Sequence, residues 1–306
     1  MPTSDELASF AENGFHVVRG VFGGERVRAL VEALQEFEGL ETADLPLEAL
    51  ASFTPVVDEY RLMNLTECGQ AFLELVDEPL FLEWCSALMP GDLRLTESFA
   101  LTRRRGVGLP LHALALSGFE DTDQGPRTRL LTLTVCLSDV GPDDGPFVAI
   151  AGSHRRARDF PYNRVHPDWP EPEFDAATSA AFRAQNEGRE DLPWEQIPGY
   201  TEVLVQAGDV VVLTQDLWHG AKALHSDRSR RTLYFTYGPY WFPNFHGLRT
   251  SDAVFERAND HQRRLLGGPF VGNLYQGGPP TGVEPSVAFP FVPNSERDPA
   301  RFRRRR

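Results

Sequence analysis

Lysine is almost missing from this chain. Lys222 is the only one in 306 residues, so nearly all of the 30 basic side chains are arginine. That skew reads as compositional bias and assigns no function. Cysteine is scarce as well. Cys68, Cys85 and Cys136 stand far apart without CxxC spacing, which argues against a thiolate metal site and for reduced thiols in a cytoplasm. No apolar run approaches the roughly 20 residues that span a bilayer. The opening MPTSDELASF has neither a basic start nor an apolar core, so a secretory signal is not expected and the expected location is cytoplasmic. Basic charge is also in deficit. A net charge of -14 disfavours a general nucleic-acid binder. No Ser-His-Asp arrangement, phosphate-cradling Gly loop or zinc motif stands out, which leaves hydrolase and nucleotide-binding readings without support.

What is present suits a globular protein with a sizeable core: 41% hydrophobic and 24% charged residues. Thr3 to Glu6 has capping-box spacing ahead of Leu7, Phe10 and Ala11, predicting a helix that Asn13-Gly14 ends. Phe15 to Val21 reads as a strand. Gly23-Gly24 opens a second helix with Val27, Leu30, Val31 and Leu34 on one face. Apolar positions from Phe72 to Leu88 predict one or two more, so residues 1–90 are expected to be mostly helical with one strand.

The character then changes. Leu131, Leu133, Val135 and Leu137 alternate with Thr132, Thr134 and Cys136, the period of a half-buried strand. Glu202–Val205 and Asp209–Leu213 flank Ala207-Gly208, predicting a hairpin or tight corner. Tyr162–Pro172 and Asn186–Pro198 read as loops. Ser251 caps a last helix over Asp252–Leu266, and residues 267–306 are dense in Pro and Gly, predicting an irregular strap with an Arg-rich end. Without repeats or a linker, the expectation is one α+β domain, mainly β, built as a sandwich or barrel with N-terminal helices and its strands in residues 95–240.

The stretch Ala207–Tyr237 carries the chemistry. It holds a β-branched run, a lone His219 on a Trp-His-Gly corner, and Arg230 eleven residues on. A neutral imidazole suits a first-row metal, and a guanidinium can pair with a carboxylate bidentately.

Three further segments join it: Phe10–Val18, Gly106–His112 and Leu137–Arg155. Together, over residues 5–240, the four segments resemble the phytanoyl-CoA dioxygenase-like family of iron(II)/2-oxoglutarate oxygenases. The resemblance implies a double-stranded β-helix, a cupin-like jelly roll with iron at its mouth. His112 and His219 would be metal ligands and Arg230 the partner of 2-oxoglutarate. Molecular oxygen and a small-molecule substrate would be the other reactants, and hydroxylation the simplest outcome.

One departure from the family pattern matters. The family's first motif is His-x-Asp, whereas this chain reads His112-Ala113-Leu114. On a strand, Leu114 would point where the carboxylate should be. Three readings stay open. A halide could fill the vacancy, as in related halogenases with Gly or Ala there, although Leu is bulkier. A carboxylate could arrive from Glu120, Asp121, Asp123 or Asp216. Or the iron chemistry is lost and the fold binds a small molecule without catalysis.

The remaining candidates have ordinary explanations. His154 reads as a turn histidine, and His166, His225, His246 and His261 have no partner at ligand spacing. Arg231 would face away from Arg230. Arg103, Arg104 and Arg105 could assist an anion but read first as a solvated face. Trp218, Tyr234, Tyr237, Tyr240, Trp241 and Phe242 read mainly as core.

Overall fold

A computed structural model describes residues 1–54, 58–89, 91–115, 118–166, 176–242, 244 and 247–267. In chain order the strands are β1 (Phe15–Val18), β2 (Leu50–Thr54), β3 (Glu59–Met63), β4 (Leu93–Arg103), β5 (Leu109–His112), β6 (Glu120–Thr122) and β7 (Gly125–Arg127). There follow β8 (Leu131–Cys136), β9 (Phe147–Ile150), β10 (Tyr200–Val203), β11 (Val210–Thr214), β12 (His219–Ala221) and β13 (Arg230–Pro239). The helices are α1 (Ser4–Asn13), α2 (Gly24–Gln35), α3 (Gln70–Leu73), α4 (Pro79–Leu88), α5 (Ala176–Asn186), α6 (Asp252–Arg257) and α7 (Asp260–Leu265). None is long and apolar enough to cross a membrane.

Two antiparallel sheets make the jelly roll. The larger runs β1-β11-β8-β13-β4-β3-β2 and the smaller β10-β9-β12-β5. The composition of β8 shows why the large sheet holds its place. Leu131, Leu133 and Val135 face one way and join Phe10, Leu30, Leu34 and Phe81 of the helices in a single core. The Phe81 and Phe235 rings meet there at 5.7 Å. Thr132, Thr134 and Cys136 face the other way, toward the smaller sheet, where Thr132 bonds Thr236 at 2.8 Å. Every residue of β8 is buried. Its alternation therefore separates two covered faces, not a core from solvent as the period suggested.

Several local expectations hold and others need correction. Thr3 accepts from the Glu6 N–H and Glu6 answers at the Thr3 N–H, closing the capping box of α1. Among the described residues, 1–90 hold three strands instead of one, because β2 and β3 extend the large sheet beyond β4. The Ala207-Gly208 corner passes the chain between sheets, so β10 and β11 are not a hairpin. Part of the predicted loop over Asn186–Pro198 is regular: α5 ends at Asn186 and a short 3-10 turn covers Trp194–Gln196. The last helix breaks at Ala258, where Asn259 accepts from the Gln262 N–H and caps a second segment. The predicted strap lies outside the described residues apart from Gly267.

Candidate active site

The inner faces of the two sheets enclose a cavity of about 210 Å³. Its walls follow from strand alternation. On β4, Glu97, Phe99, Leu101 and Arg103 point inward, and on β13 Arg230, Thr232 and Tyr234 do so. The smaller sheet contributes His112 from β5 and His219 from β12.

His112 and His219 sit directly opposite each other in the β5–β12 register, with ring centroids 4.3 Å apart. Each donates Nδ1–H to a backbone carbonyl two residues upstream, His112 to Pro110 at 2.9 Å and His219 to Leu217 at 2.8 Å. This fixes one tautomer in both rings and leaves Nε2 as the lone-pair nitrogen. Burial first, and then the neighbouring His112, push the His219 imidazolium down to about 3. Burial likewise lowers His112, with Arg164 adding to the effect. His112 is open to the cavity, yet protein crowds it closely enough to disfavour its charged form. Two neutral imidazoles with free Nε2 atoms are what a borderline metal ion takes.

The smaller sheet can bring these rings together only because residue 220 is glycine. A Cβ there would lie 2.6 Å from the Leu109 carbonyl oxygen, forcing β12 off β5. Ser153 and Ala157 hold Trp218, the residue before β12, in place. The Trp218 N–H donates to Ser153 Oγ at 2.9 Å, and the Trp218 indole donates to the Ala157 carbonyl at 2.8 Å. His154 in turn contacts the Ala11 carbonyl through Nε2 at 3.1 Å. Gly14 ends α1 with φ +81°, and its missing Cβ would lie 2.5 Å from His154 Nδ1. His154 thus positions a neighbouring segment and does not reach the cavity.

Arg230 and Arg231 part company as alternation requires. Arg230 lies in the cavity wall, 7% exposed, with Nη1 donating to the Gly145 carbonyl. Arg231 turns outward and takes both oxygens of Glu38, at 2.6 and 3.0 Å. Arg103 corrects an expectation: only Arg104 and Arg105 are solvated, while Arg103 is 1% exposed and lines the cavity. Its place as the last inward residue of β4 explains this.

Leu114 stands beyond the end of β5, with its N–H bonded to the Gln215 carbonyl at 2.8 Å, and its side chain is not in the cavity wall. Among the described residues, none of the carboxylates Glu120, Asp121, Asp123 and Asp216 lines the cavity. Glu120 and Asp121 lie on the exposed β6–β7 ribbon, where Asp121 pairs with Arg155 at 2.8 Å, and Asp123 is on its turn. Asp216 is buried without lining the cavity. Among the described residues no group of three or more His, Cys, Asp and Glu could hold a metal.

Other histidines stay outside the site. His166 meets Glu195 at 3.2 Å, His225 and His261 are exposed, and His246 is outside the described residues. Of the aromatics, Tyr234 enters the cavity wall, stacked on Phe99 at 4.4 Å. Tyr237 belongs to the helical core, donating to the Val76 carbonyl. Trp218 stacks on Phe160 at 4.2 Å, and Trp241 is exposed. Sequence reasoning passed over Glu97, Arg61 and Gln215, all in the cavity wall. Counting by twos back from Arg103 would have found Glu97.

A family model described as phytanoyl-CoA dioxygenase matches residues 10–232. No curated protein matches the chain by sequence. Among solved structures, the fold is similar to that of HygX from Streptomyces hygroscopicus with nickel and 2-oxoglutarate bound. That match is 23% identical with TM-score 0.60, covering 80% of this chain and 90% of the other. It is also similar to SnoN, a non-heme alpha-ketoglutarate-dependent epimerase from nogalamycin biosynthesis, at 19% identity and TM-score 0.54, over 77% and 82% of the two chains. EctD from S. alaskensis, with 2-oxoglutarate and 5-hydroxyectoine, matches at 17% identity and TM-score 0.53, over 78% and 77%.

Proposed function

The chain belongs to the phytanoyl-CoA dioxygenase family of iron(II)/2-oxoglutarate-dependent oxygenases, and on that premise we propose that it hydroxylates a small organic molecule. The observation that carries the reading is the opposed pair His112 and His219, locked in one tautomer and facing the same cavity as Arg230. The donor set fits the histidine half of an iron site and lacks its carboxylate, since the chain carries Leu114 at that position of the motif and its side chain is outside the cavity wall. Iron bound there would supply oxygen activation, coupled to oxidation of the keto acid to succinate and carbon dioxide, with the second oxygen atom going to substrate.

The protein's own part is binding and orientation. His112 and His219 would hold the metal through Nε2, and their Nδ1–H bonds stop the rings from turning. Phe147 packs against His219 at 5.4 Å and limits its movement. Arg230 supplies a fixed positive charge that pairs with a carboxylate of 2-oxoglutarate. Thr132, Tyr234 and Glu97 remain on the wall for substrate.

A second reading rests on Leu114 and on the missing third ligand: a jelly roll that binds a small anion without catalysing its oxidation. The two readings part under one assay. Aerobic protein with Fe(II) and 2-oxoglutarate should release succinate slowly even without substrate, and His219→Ala should abolish the release. Failure of the wild-type protein to release succinate, while it binds the keto acid, would favour the non-catalytic reading. Chloride in the same assay, once a substrate is found, separates a halogenase from a hydroxylase by the product.

A further inference from the structure

The cavity wall is basic at one end and acidic at the other. Arg103 and Arg230 are partners in register on β4 and β13, and the inward row of β4 runs from Arg103 through Leu101 and Phe99 to Glu97. Six residues of strand, about 20 Å, separate Arg103 from Glu97. A β-bulge ends the row there. Glu97 pairs with Thr236 and Leu95 with Tyr237, so Thr96 is an extra residue on β4. Leu95 therefore turns into the helical core with Tyr237, and Glu97 is the last side chain that β4 gives to the cavity. Gly238 permits the bulge, since a Cβ there would lie 2.6 Å from Leu130 and 3.1 Å from Thr96.

Glu97 is the only carboxylate in the cavity wall among the described residues. Its row continues in neutral polar groups. Thr236 and Thr132 share a hydrogen bond of 2.8 Å, and Gln215 Nε2 donates to Thr132 Oγ1. Thr132 and Gln215 line the cavity with Glu97. The third arginine of the wall, Arg61, pairs with Leu101 and donates to Glu59 at 3.2 Å, toward the basic end. The acidic end also borders the histidine pair. The Gln215 carbonyl accepts from Leu114, two residues after His112, and His219 follows Gln215 by four. A molecule seated at this end meets a carboxylate, an amide and a hydroxyl. A cation that also donates hydrogen bonds complements that set best.

We infer that Glu97 seats a positively charged nitrogen of the substrate, so that the cavity takes a polar, amine-bearing molecule whose hydroxyl or amide groups meet Thr132 and Gln215. This rests on the reading that the histidine pair holds the metal beside which the substrate binds. Glu97 decides which substrate is accepted and takes no part in the oxidation.

The test is ligand-observed NMR titration of the full chain loaded with Zn(II) and 2-oxoglutarate. The probes are serinol, a cation at neutral pH, and glycerol, which carries a hydroxyl in place of the amine. Serinol should bind about 10-fold or more tightly than glycerol, as expected for one charged hydrogen bond. Glu97→Gln should bring the two probes to near parity, and Glu97→Asp, which keeps the charge, should retain part of the preference. Equal affinity in the wild type, binding of neither probe, or a preference that survives Glu97→Gln would overturn the inference. The wild-type comparison needs no variant to fold. Metal uptake separates these outcomes from failure of the iron reading. A Glu97-dependent preference for serinol in protein that takes up no metal would keep the amine seat and discard the iron reading. Calorimetric uptake of Zn(II) and 2-oxoglutarate without any preference for serinol would keep the iron reading and discard the seat.

Discussion

His154 links the acid stability of the protein to the geometry behind the histidine-lined cavity. The ring is 3% exposed, its Nε2–H is given to the Ala11 carbonyl, and Nδ1 has no partner to receive a second proton's hydrogen bond. Phe119 closes over it edge-on at 4.3 Å. Burial, and then the charge of Arg155, lower its ionisation from 6.5 to about 4. Between those values the unfolded chain binds a proton that the folded chain refuses. The contribution is fully present above pH 6.5 and is lost as pH falls toward 4. At pH 5 the loss is about 2 kcal/mol. Urea unfolding of the wild type and of His154→Gln at pH 7.5 and pH 5 isolates this amount, since His112 and His219 titrate alike in both proteins. The variant should be weaker at pH 7.5, by about 1–3 kcal/mol, because the replacement fits neither the ring's space nor the Ala11 carbonyl equally well. It should then lose about 2 kcal/mol less than the wild type on going to pH 5. Parallel losses would show that His154 is not held neutral by its surroundings.

Three other outcomes follow from the geometry. Gly220→Ala should lower Tm by several degrees and weaken Ni(II) binding, because its Cβ cannot coexist with the Leu109 carbonyl; calorimetry that finds both unchanged would contradict the close approach of β12 to β5. Arg230→Met should abolish measurable 2-oxoglutarate binding, whereas Arg231→Met should leave it intact and cost about 1–2 kcal/mol of stability through the loss of Glu38's partner. Leu114→Asp should leave Fe(II) affinity unchanged, because the residue 114 side chain lies beyond the end of β5 and outside the cavity wall, and a tightening of about 10-fold or more in a competition titration would contradict that placement.

Much of this arrangement was legible in the sequence because it depends on short periods. The inward set on β13, Arg230, Thr232 and Tyr234, follows from alternation alone, as does the outward turn of Arg231. The capping box at Thr3 and the stop at Gly14 are local signals. What stayed hidden depends on distant partners. Strands β2 and β3 have little β-rich character of their own and exist because β4 offers an edge to pair with. The burial of Arg103 could not be told from the solvation of Arg104 and Arg105 without knowing where β4 ends. The same holds for Leu114: β5 stops at His112, so the rule that puts alternate residues on one face does not reach two residues further. Glu97 was passed over since a lone acidic residue in a strand carries no motif.

We propose that His112 and His219 hold iron in reach of a keto acid. Anaerobic titration of metal-free protein with Fe(II) and 2-oxoglutarate tests it most directly, followed through the visible charge-transfer absorption of a keto acid chelated to iron. The absorption should develop in the wild-type protein and be lost in His219→Ala. A folded wild-type protein that shows no absorption, and no bound metal by elemental analysis, would contradict the claim.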